Sequence, residues 1–366
     1  MEQKRFVGID LGKRTYEMKI IGINGKVTGT NGQTNPSGRK LLYRKLLATD
    51  RVAIEVCSLG MVMAKEIQKE VGCEVVLLNP SQLVLIYRSL KKNDKEDALK
   101  LARLVQKYKN EELPKVELPT EHEENLRQIL TEIRQLKNDR TKEINRLHAI
   151  FVECGITEIK KKDLATIDNR IKCIKMLKGI ALAQAERILK KLELVETQTE
   201  EVEELLDKEI DGDKLLAIIG NYLRGKGQIP GVGKQLASAY VAFIGDGSRF
   251  PNASTIGAAT GLVPRLDMSS TVCRMGHITK CGNKNLRTLL ILAAWSHVRS
   301  RDGGALKDKF LYMTRFQSKG KKIAIVAIAR KLAELMYILL KNDTSYEKRP
   351  SPTISQLVDE AMKFSS

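Results

Sequence analysis

The 366 residues exceed the usual length of one domain, so two or three domains, each with its own core, are expected. The chain carries 63 Lys and Arg against 44 Asp and Glu, a formal charge of +19, which points to a polyanionic partner. No run of about 18 apolar residues is available to span a bilayer, and Met1 to Arg5 lacks the apolar core of a signal peptide, so nucleic acid is favoured over membrane and the expected compartment is the cytoplasm.

The charge is unevenly placed. Residues 1–110 hold 21 basic and 11 acidic side chains, residues 111–220 hold 19 and 24, and residues 221–366 hold 23 and 9. Two basic ends around an acidic middle suggest two nucleic-acid-facing domains joined by a segment with another task. The 6 cysteines are scattered, so reduced thiols are expected. Cys273, His277 and Cys281 recur at steps of four, but no nearby fourth ligand completes a zinc tetrahedron.

In chain order, Arg5 to Asp10, Tyr16 to Ile23 and Lys26 to Thr30 read as a three-stranded antiparallel meander, with turns at Gly12 and Asn24-Gly25. A helix from about Ser37 to Ala48 leads to a short apolar strand, Val52 to Val56. Helix Gly60 to Glu70, strand Glu74 to Leu78 and helix Asp94 to Lys107 follow. The order βββαβαβα describes a mixed sheet with helices on its faces, assigned to residues 1–110.

Residues 111–224 read as a helical middle. Leu126, Leu130, Ile133, Ile144, Leu147 and Phe151 form one stripe, interrupted at Lys137 and Arg140. A second stripe, Ile188, Leu192, Val195, Val202 and Leu206, alternates steps of three and four, with Thr199 in the gap. It suits either an antiparallel pair within one chain or a coiled coil that joins subunits into a dimer or tetramer, and the oligomer is the expectation. After Gly225 the texture turns glycine-rich and mainly α-helical, over residues 225–342, to a last helix at Lys321 to Leu340. The polar tail, 343–366, is expected to be loosely held.

Three features carry chemistry. Asp10 ends an apolar strand in Gly8-Ile9-Asp10-Leu11-Gly12, a pattern shared with actin-like ATPases, although no second phosphate loop follows. Glu55 interrupts a buried strand, where an unpaired carboxylate costs several kcal/mol unless a cation or basic partner offsets it. Asp94 and Asp97 stand three apart on one helical face, as cap residues would or as two ligands aimed at one point. Hard Mg²⁺ ions prefer such oxygens.

Those residues, on that order of elements, resemble the site of RNase H-like nucleases. With Lys92-Asn93-Asp94-Lys95-Glu96-Asp97-Ala98 and Ile54-Glu55, they resemble the DEDD-type insertion-sequence transposases, whose N-terminal domain is similar to the RuvC junction resolvase. Ile229-Pro230-Gly231-Val232-Gly233, Ile244 to Phe250, Gly261-Leu262-Val263-Pro264-Arg265 and Ile278 to Asn283 follow the same family's order.

The resemblance implies Mg²⁺ on Asp10, Glu55, Asp94 and Asp97, and a serine nucleophile forming a covalent phosphoserine. An ungapped alignment selects Ser269; a shift of one selects Ser270. It also implies donor and target DNA as substrates and a noncoding bridge RNA as guide. Pro-Gly-Val-Gly resembles a helix-hairpin-helix whose backbone meets phosphate through Gly231, Gly233 and Lys234. Arg265, Arg274, Lys280, Lys284 and Arg287 make a cationic setting for the serines. A junction-resolving nuclease and a nonenzymatic nucleic-acid scaffold are the alternatives; the first leaves the serine segment idle, the second leaves Glu55 unexplained.

Overall fold

The computed structural model describes residues 4–80, 83, 94–219, 229–269 and 272–346, with 266–269 and 272–275 described by backbone alone. It divides into two compact units, Met1–Pro119 and Thr120–Ser366.

The first unit is built on a six-stranded sheet in the order β3-β2-β1-β4-β5-β6. Strands β1 (Phe6–Leu11), β2 (Thr15–Ile21) and β3 (Val27–Gln33) form the antiparallel meander read from the sequence. Strands β4 (Arg51–Glu55) and β5 (Glu74–Leu78) join β1 in parallel, through crossovers that contain α1 (Pro36–Tyr43) and α2 (Ser58–Glu70). A short β6 (Lys115–Val116) closes the far edge antiparallel to β5 and carries this unit past residue 110.

Side chains alternate across the sheet, and the two faces bury different partners. Val7, Ile9, Val52 and Ile54 pack with Leu42, Met63 and Ile67 of α1 and α2. Ala53, Val76 and Leu78 pack with Leu101, Leu104 and Val105 of α3 (Asp94–Lys107) on the opposite face. Helix α1 ends at Tyr43, short of the expected Ala48, where Arg44 caps it.

The second unit begins with α4 (Glu121–Glu153), entered by a capping box in which Thr120 and Glu123 bond each other's backbone N–H. Helix α5 (Ile167–Ile174) precedes α6 (Gly179–Ile210), which runs back along α4. Ile144, Leu147 and Phe151 meet Ile188 and Leu192 in one apolar layer. Leu126, Leu130 and Ile133 share a second layer with Val202 and Leu206. Ile188, Leu192, Val202 and Leu206 of the heptad-like stripe are thus buried against α4 within the chain, as an antiparallel pair requires, while Val195 stays half-buried.

The interruptions at Lys137, Arg140 and Thr199 coincide with a polar layer between those cores. Glu196 accepts from Arg140 Nε at 2.6 Å and from Arg170 Nη2 at 2.5 Å. Arg170, only 1% exposed, also donates to the Leu164 carbonyl.

The C-terminal part of this unit contains α7 (Lys214–Ile219), α8 (Lys234–Ile244), α9 (Ala253–Ala259), α10 (Lys284–Arg299), α11 (Gly304–Arg315) and α12 (Lys321–Asn342). Helix α12 buries Ile328, Leu332 and Met336 in the same core that holds Leu126 and Leu206, so the helical middle and the C-terminal segment form one body. Between α9 and α10 stands a hairpin absent from the sequence reading, β7 (Pro264–Ser269) and β8 (Val272–Ile278). Among the described residues no helix is long and apolar enough to cross a membrane.

Candidate catalytic cleft and nucleic-acid face

Gly8 positions the N-terminal site. A Cβ at this residue would collide with the Ala98 carbonyl oxygen and stand 2.5 Å from the Ala102 nitrogen. Only glycine lets α3 lie directly on β1. Asp94, one turn before Ala98, is thereby carried toward Asp10, two residues beyond Gly8 on the same face.

Strands β1 and β4 pair Ile9 with Ile54, so Asp10 and Glu55 follow at neighbouring positions and point to the face that α3 covers. Across the other edge of β1, Asp10 is opposite Glu17. Gly60 sets the approach of α2 to β4, because a Cβ there would meet the Glu55 carbonyl oxygen at 2.6 Å. Cys57 accepts the Gly60 N–H at 3.2 Å and caps α2.

Asp10 and Asp94 line one cleft of about 420 Å³ with Thr15, Glu17, Asn31 and Gln33. Glu55 and Asp97 lie outside its lining, and Asp97 pairs with Lys100 at 2.6 Å. Among the described residues no three His, Cys, Asp or Glu side chains are gathered closely enough to hold a metal ion. The sequence reading thus placed two residues in the cleft and missed Thr15, Glu17, Asn31 and Gln33. Their signal was the cross-strand register, which no single sequence prints. Burial pushes the Tyr16 phenol above its ordinary pKa, so at neutral pH this cleft residue is a neutral hydroxyl.

In the second unit the two glycines of Pro-Gly-Val-Gly differ. Gly231 has φ +86°, and a Cβ there would meet the Ala293 carbonyl oxygen at 2.5 Å, so this residue seats the turn on α10. Gly233 caps α8 without a side-chain bond and has open space beside it. His297, fully buried, ties the turn down, with Nδ1 2.7 Å from the Pro230 carbonyl and Nε2 2.8 Å from that of Gly303. Lys234 pairs with Asp207 at 2.5 Å.

The β7–β8 hairpin has a locked base. Thr279 donates its N–H to Val263 at 2.9 Å, and Lys280 donates to Gly261 at 3.2 Å. Gly261 and Gly282 have φ of +67° and +73° and interlock too closely for any side chain at either position. Arg287 donates to the carbonyls of Thr260 and Cys281, on the two ends of the hairpin, at 3.2 and 2.9 Å. The guanidinium expected to face nucleic acid clamps this base. Arg265, Lys280 and Lys284 are exposed.

Ser269 pairs with Val272, the last described pair of the hairpin, and Arg274 pairs with Asp267. Ser270 lies outside the described residues. The Ile244 to Phe250 block holds the unit together: Arg249 pairs with buried Glu123, and Tyr337 donates to the Phe250 carbonyl at 2.8 Å.

Two family models match this chain, a DEDD-type IS110 transposase model over residues 7–156 and the transposase IS116/IS110/IS902 family over residues 227–310. The chain is similar to the transposase for insertion sequence element IS1328 of Yersinia enterocolitica, with 26% identity covering 95% of this chain and 100% of that protein. It is 25% identical to the transposase for insertion sequence element IS1111A of Coxiella burnetii, covering 94% and 92%. A pilin gene-inverting protein of Moraxella lacunata is 32% identical over 122 residues, 33% of this chain and 37% of that protein.

Proposed function

We propose, from the premise that the chain belongs to the DEDD-type insertion-sequence transposases, that it cuts and rejoins DNA through the Asp10 cleft and a serine of the β7–β8 hairpin. The observation that carries this reading is the meeting of Asp10 and Asp94 at one cleft, with Glu55 beside Asp10 in the sheet. Asp10, Glu55, Asp94 and Asp97 are the residues that would hold Mg²⁺. Their oxygen donors suit such an ion, while the side chains as they stand bring two of the four to the cleft. The ion would supply Lewis acidity toward a phosphate oxygen.

The hairpin supplies the nucleophile, Ser269. Its Oγ forms a bond to phosphorus, the bond to the 3′ oxygen breaks, and the serine proton ends on that 3′ oxygen. The 5′ phosphate stays on the serine as a diester, so a 3′ hydroxyl of another strand can displace the serine without ATP. Arg265, Arg274 and Lys280 would offset phosphate charge, and the turn at Gly231 and Gly233 would bring the N-terminus of α8 to a phosphate. A bridge RNA, paired with donor and target DNA, would choose the sites and rest on the basic first unit. Asp10 and Ser269 belong to separate units, and two subunits of a dimer or tetramer can each contribute one.

The match over residues 227–310 favours this reading over a junction-resolving nuclease, which has no use for the hairpin. The test is a nicked DNA substrate that traps a covalent adduct. An adduct in wild type that is lost in Asp10→Asn supports the two-part site, and adduct formation by Asp10→Asn at the wild-type rate rejects it.

A further inference from the structure

We infer that a cleft between α4 and α10 is a second DNA-backbone site, which extends the DNA path from the hairpin onto the long helix of the same unit. The cleft, of about 380 Å³, is lined by Arg134 and Lys137 of α4 and by Lys284 of α10, with no carboxylate in its lining. Arg134 and Lys284 have no ion-pair partner among the described residues and are exposed. Lys137 reaches Glu203 at 3.0 Å, an exposed pair of little strength.

The floor between these cations is apolar. Leu130, Leu289 and Leu292 line it, and Leu292 is 59% exposed, a high value for a leucine beside a core. Asn138 and Asn285 add amide donors at the rim. Cations and amides around an aliphatic floor suit a sugar-phosphate backbone: the phosphate takes the charged rim and the deoxyribose lies on the leucines. No aromatic ring lines the cleft to stack a base, so it would grip DNA without reading sequence.

DNA is favoured over RNA by continuity. Lys284 opens α10, six residues after Ile278 ends the strand that pairs with Ser269. DNA lying along that hairpin runs onto α10 next. This step rests on the proposed role of the hairpin, and α4, which the sequence pattern assigns to packing alone, then has a second task on its outer face.

The experiment measures binding of the full-length protein to a DNA duplex and to the element's noncoding RNA, against salt, for wild type and for Arg134→Ala/Lys284→Ala. Both residues are exposed, and an unchanged melting temperature verifies the fold. The expected result is DNA binding weakened ~10-fold or more, with the slope of log affinity against log salt reduced by about two, and RNA binding unchanged. Charge reversal, Arg134→Glu, should weaken DNA binding further. Wild-type DNA affinity and slope in the double variant would overturn the inference, as would selective loss of RNA binding. Formation of the serine adduct on a nicked substrate is scored separately: unchanged DNA binding with a normal adduct rejects this cleft alone, and loss of the adduct in Ser269→Ala is blind to it.

Discussion

Gly8 of β1 lies so close to Ala98 of α3 that a methyl group at position 8 would overlap the Ala98 carbonyl oxygen. The obstacle is backbone, so no rotamer relieves it and Ala98→Gly cannot compensate. Gly8→Ala should cost ~1–3 kcal/mol by overpacking, and should lower strand exchange beyond what the loss of folded protein accounts for, because α3 carries Asp94. Denaturant unfolding and a recombination assay below the melting temperature check it. A variant with wild-type exchange would remove α3 placement from the mechanism.

Removing charge from the carboxylates tests the cleft without disturbing packing. Asp10→Asn, Glu55→Gln and Asp94→Asn should each abolish recombination, by more than ~100-fold, while melting temperature and RNA binding stay near wild type. Near-normal exchange by Asp10→Asn and Glu55→Gln in Mg²⁺ would reject a shared metal site. Asp97→Asn is informative in a different way, since Asp97 pairs with Lys100 outside the cleft. A full effect there would mean that the pair opens when substrate binds.

The N-terminal sheet was legible because alternation and turn residues act locally. Phe6–Leu11 and Glu74–Leu78 emerge within a residue or two of where their patterns lie. The two-residue β6 has no pattern to read. The β7–β8 hairpin was hidden by Pro264, Gly276 and a mix of charges, and it forms because Gly261 and Gly282 interlock at its base. Asp10, Glu55 and Asp94 stood out as carboxylates at the ends of apolar elements. Asn31 and Gln33 did not, since their place in the cleft depends on the pairing of Glu17 with Asn31 in β2 and β3. The clamp at Arg287 was not legible, because a cation in a basic segment looks the same whether or not it also holds two carbonyls.

The polar layer between α4 and α6 should fix the register of that pair. Glu196 answers two guanidinium groups, and Glu196→Ala would leave Arg170 buried without its anion, at a cost of ~3 kcal/mol. Burial opposes the Glu196 carboxylate, but hydrogen bonds from Arg170 and Arg140 outweigh it and lower its pKa. Its contribution is therefore present above the ordinary glutamate range and is lost as pH falls through the lowered folded value. Comparing wild type with Glu196→Gln from pH 6 to pH 3 should show the stability gap closing. Val202→Asp should likewise melt this unit, and a stable, folded Val202→Asp protein of smaller mass would return the stripe to subunit contact.

His122 gives a pH dependence of the opposite sign. Its ring lies between Glu209, at 2.8 Å from Nδ1, and Asp213, at 2.7 Å from Nε2. Burial disfavours the imidazolium, yet the hydrogen bonds to both carboxylates prevail and raise the pKa. The stabilisation is full below the unfolded histidine pKa, ~6.5, and fades as pH rises through the raised folded value. The melting temperature of wild type should fall relative to His122→Asn between pH 6 and pH 9. A constant difference across that range would show that the two carboxylates do not raise the ring's pKa.

The serine assignment rests on position. Ser269 closes the last described pair of a hairpin whose base is clamped by Arg287, so its backbone is held while the two strands remain linked to α10. A serine hydroxyl is a weak nucleophile at neutral pH and needs help in losing its proton. His277, on β8, is exposed, and no hydrogen bond to an orienting acid is described for it, so it is a poor candidate for a triad base. Under the proposed function the carboxylates of the first unit would supply that help. Ser269→Ala should abolish the protein–DNA adduct and leave DNA and RNA affinity within about two-fold of wild type, since phosphate contacts and not the hydroxyl dominate binding. Ser270→Ala should keep the adduct, and Arg287→Ala should lower its yield by releasing the hairpin base, with partial recovery in Arg287→Lys. Mass spectrometry of the trapped peptide decides between the serines: phosphate on Ser270 moves the nucleophile by one residue, and efficient exchange with both serines replaced rejects serine chemistry for this chain.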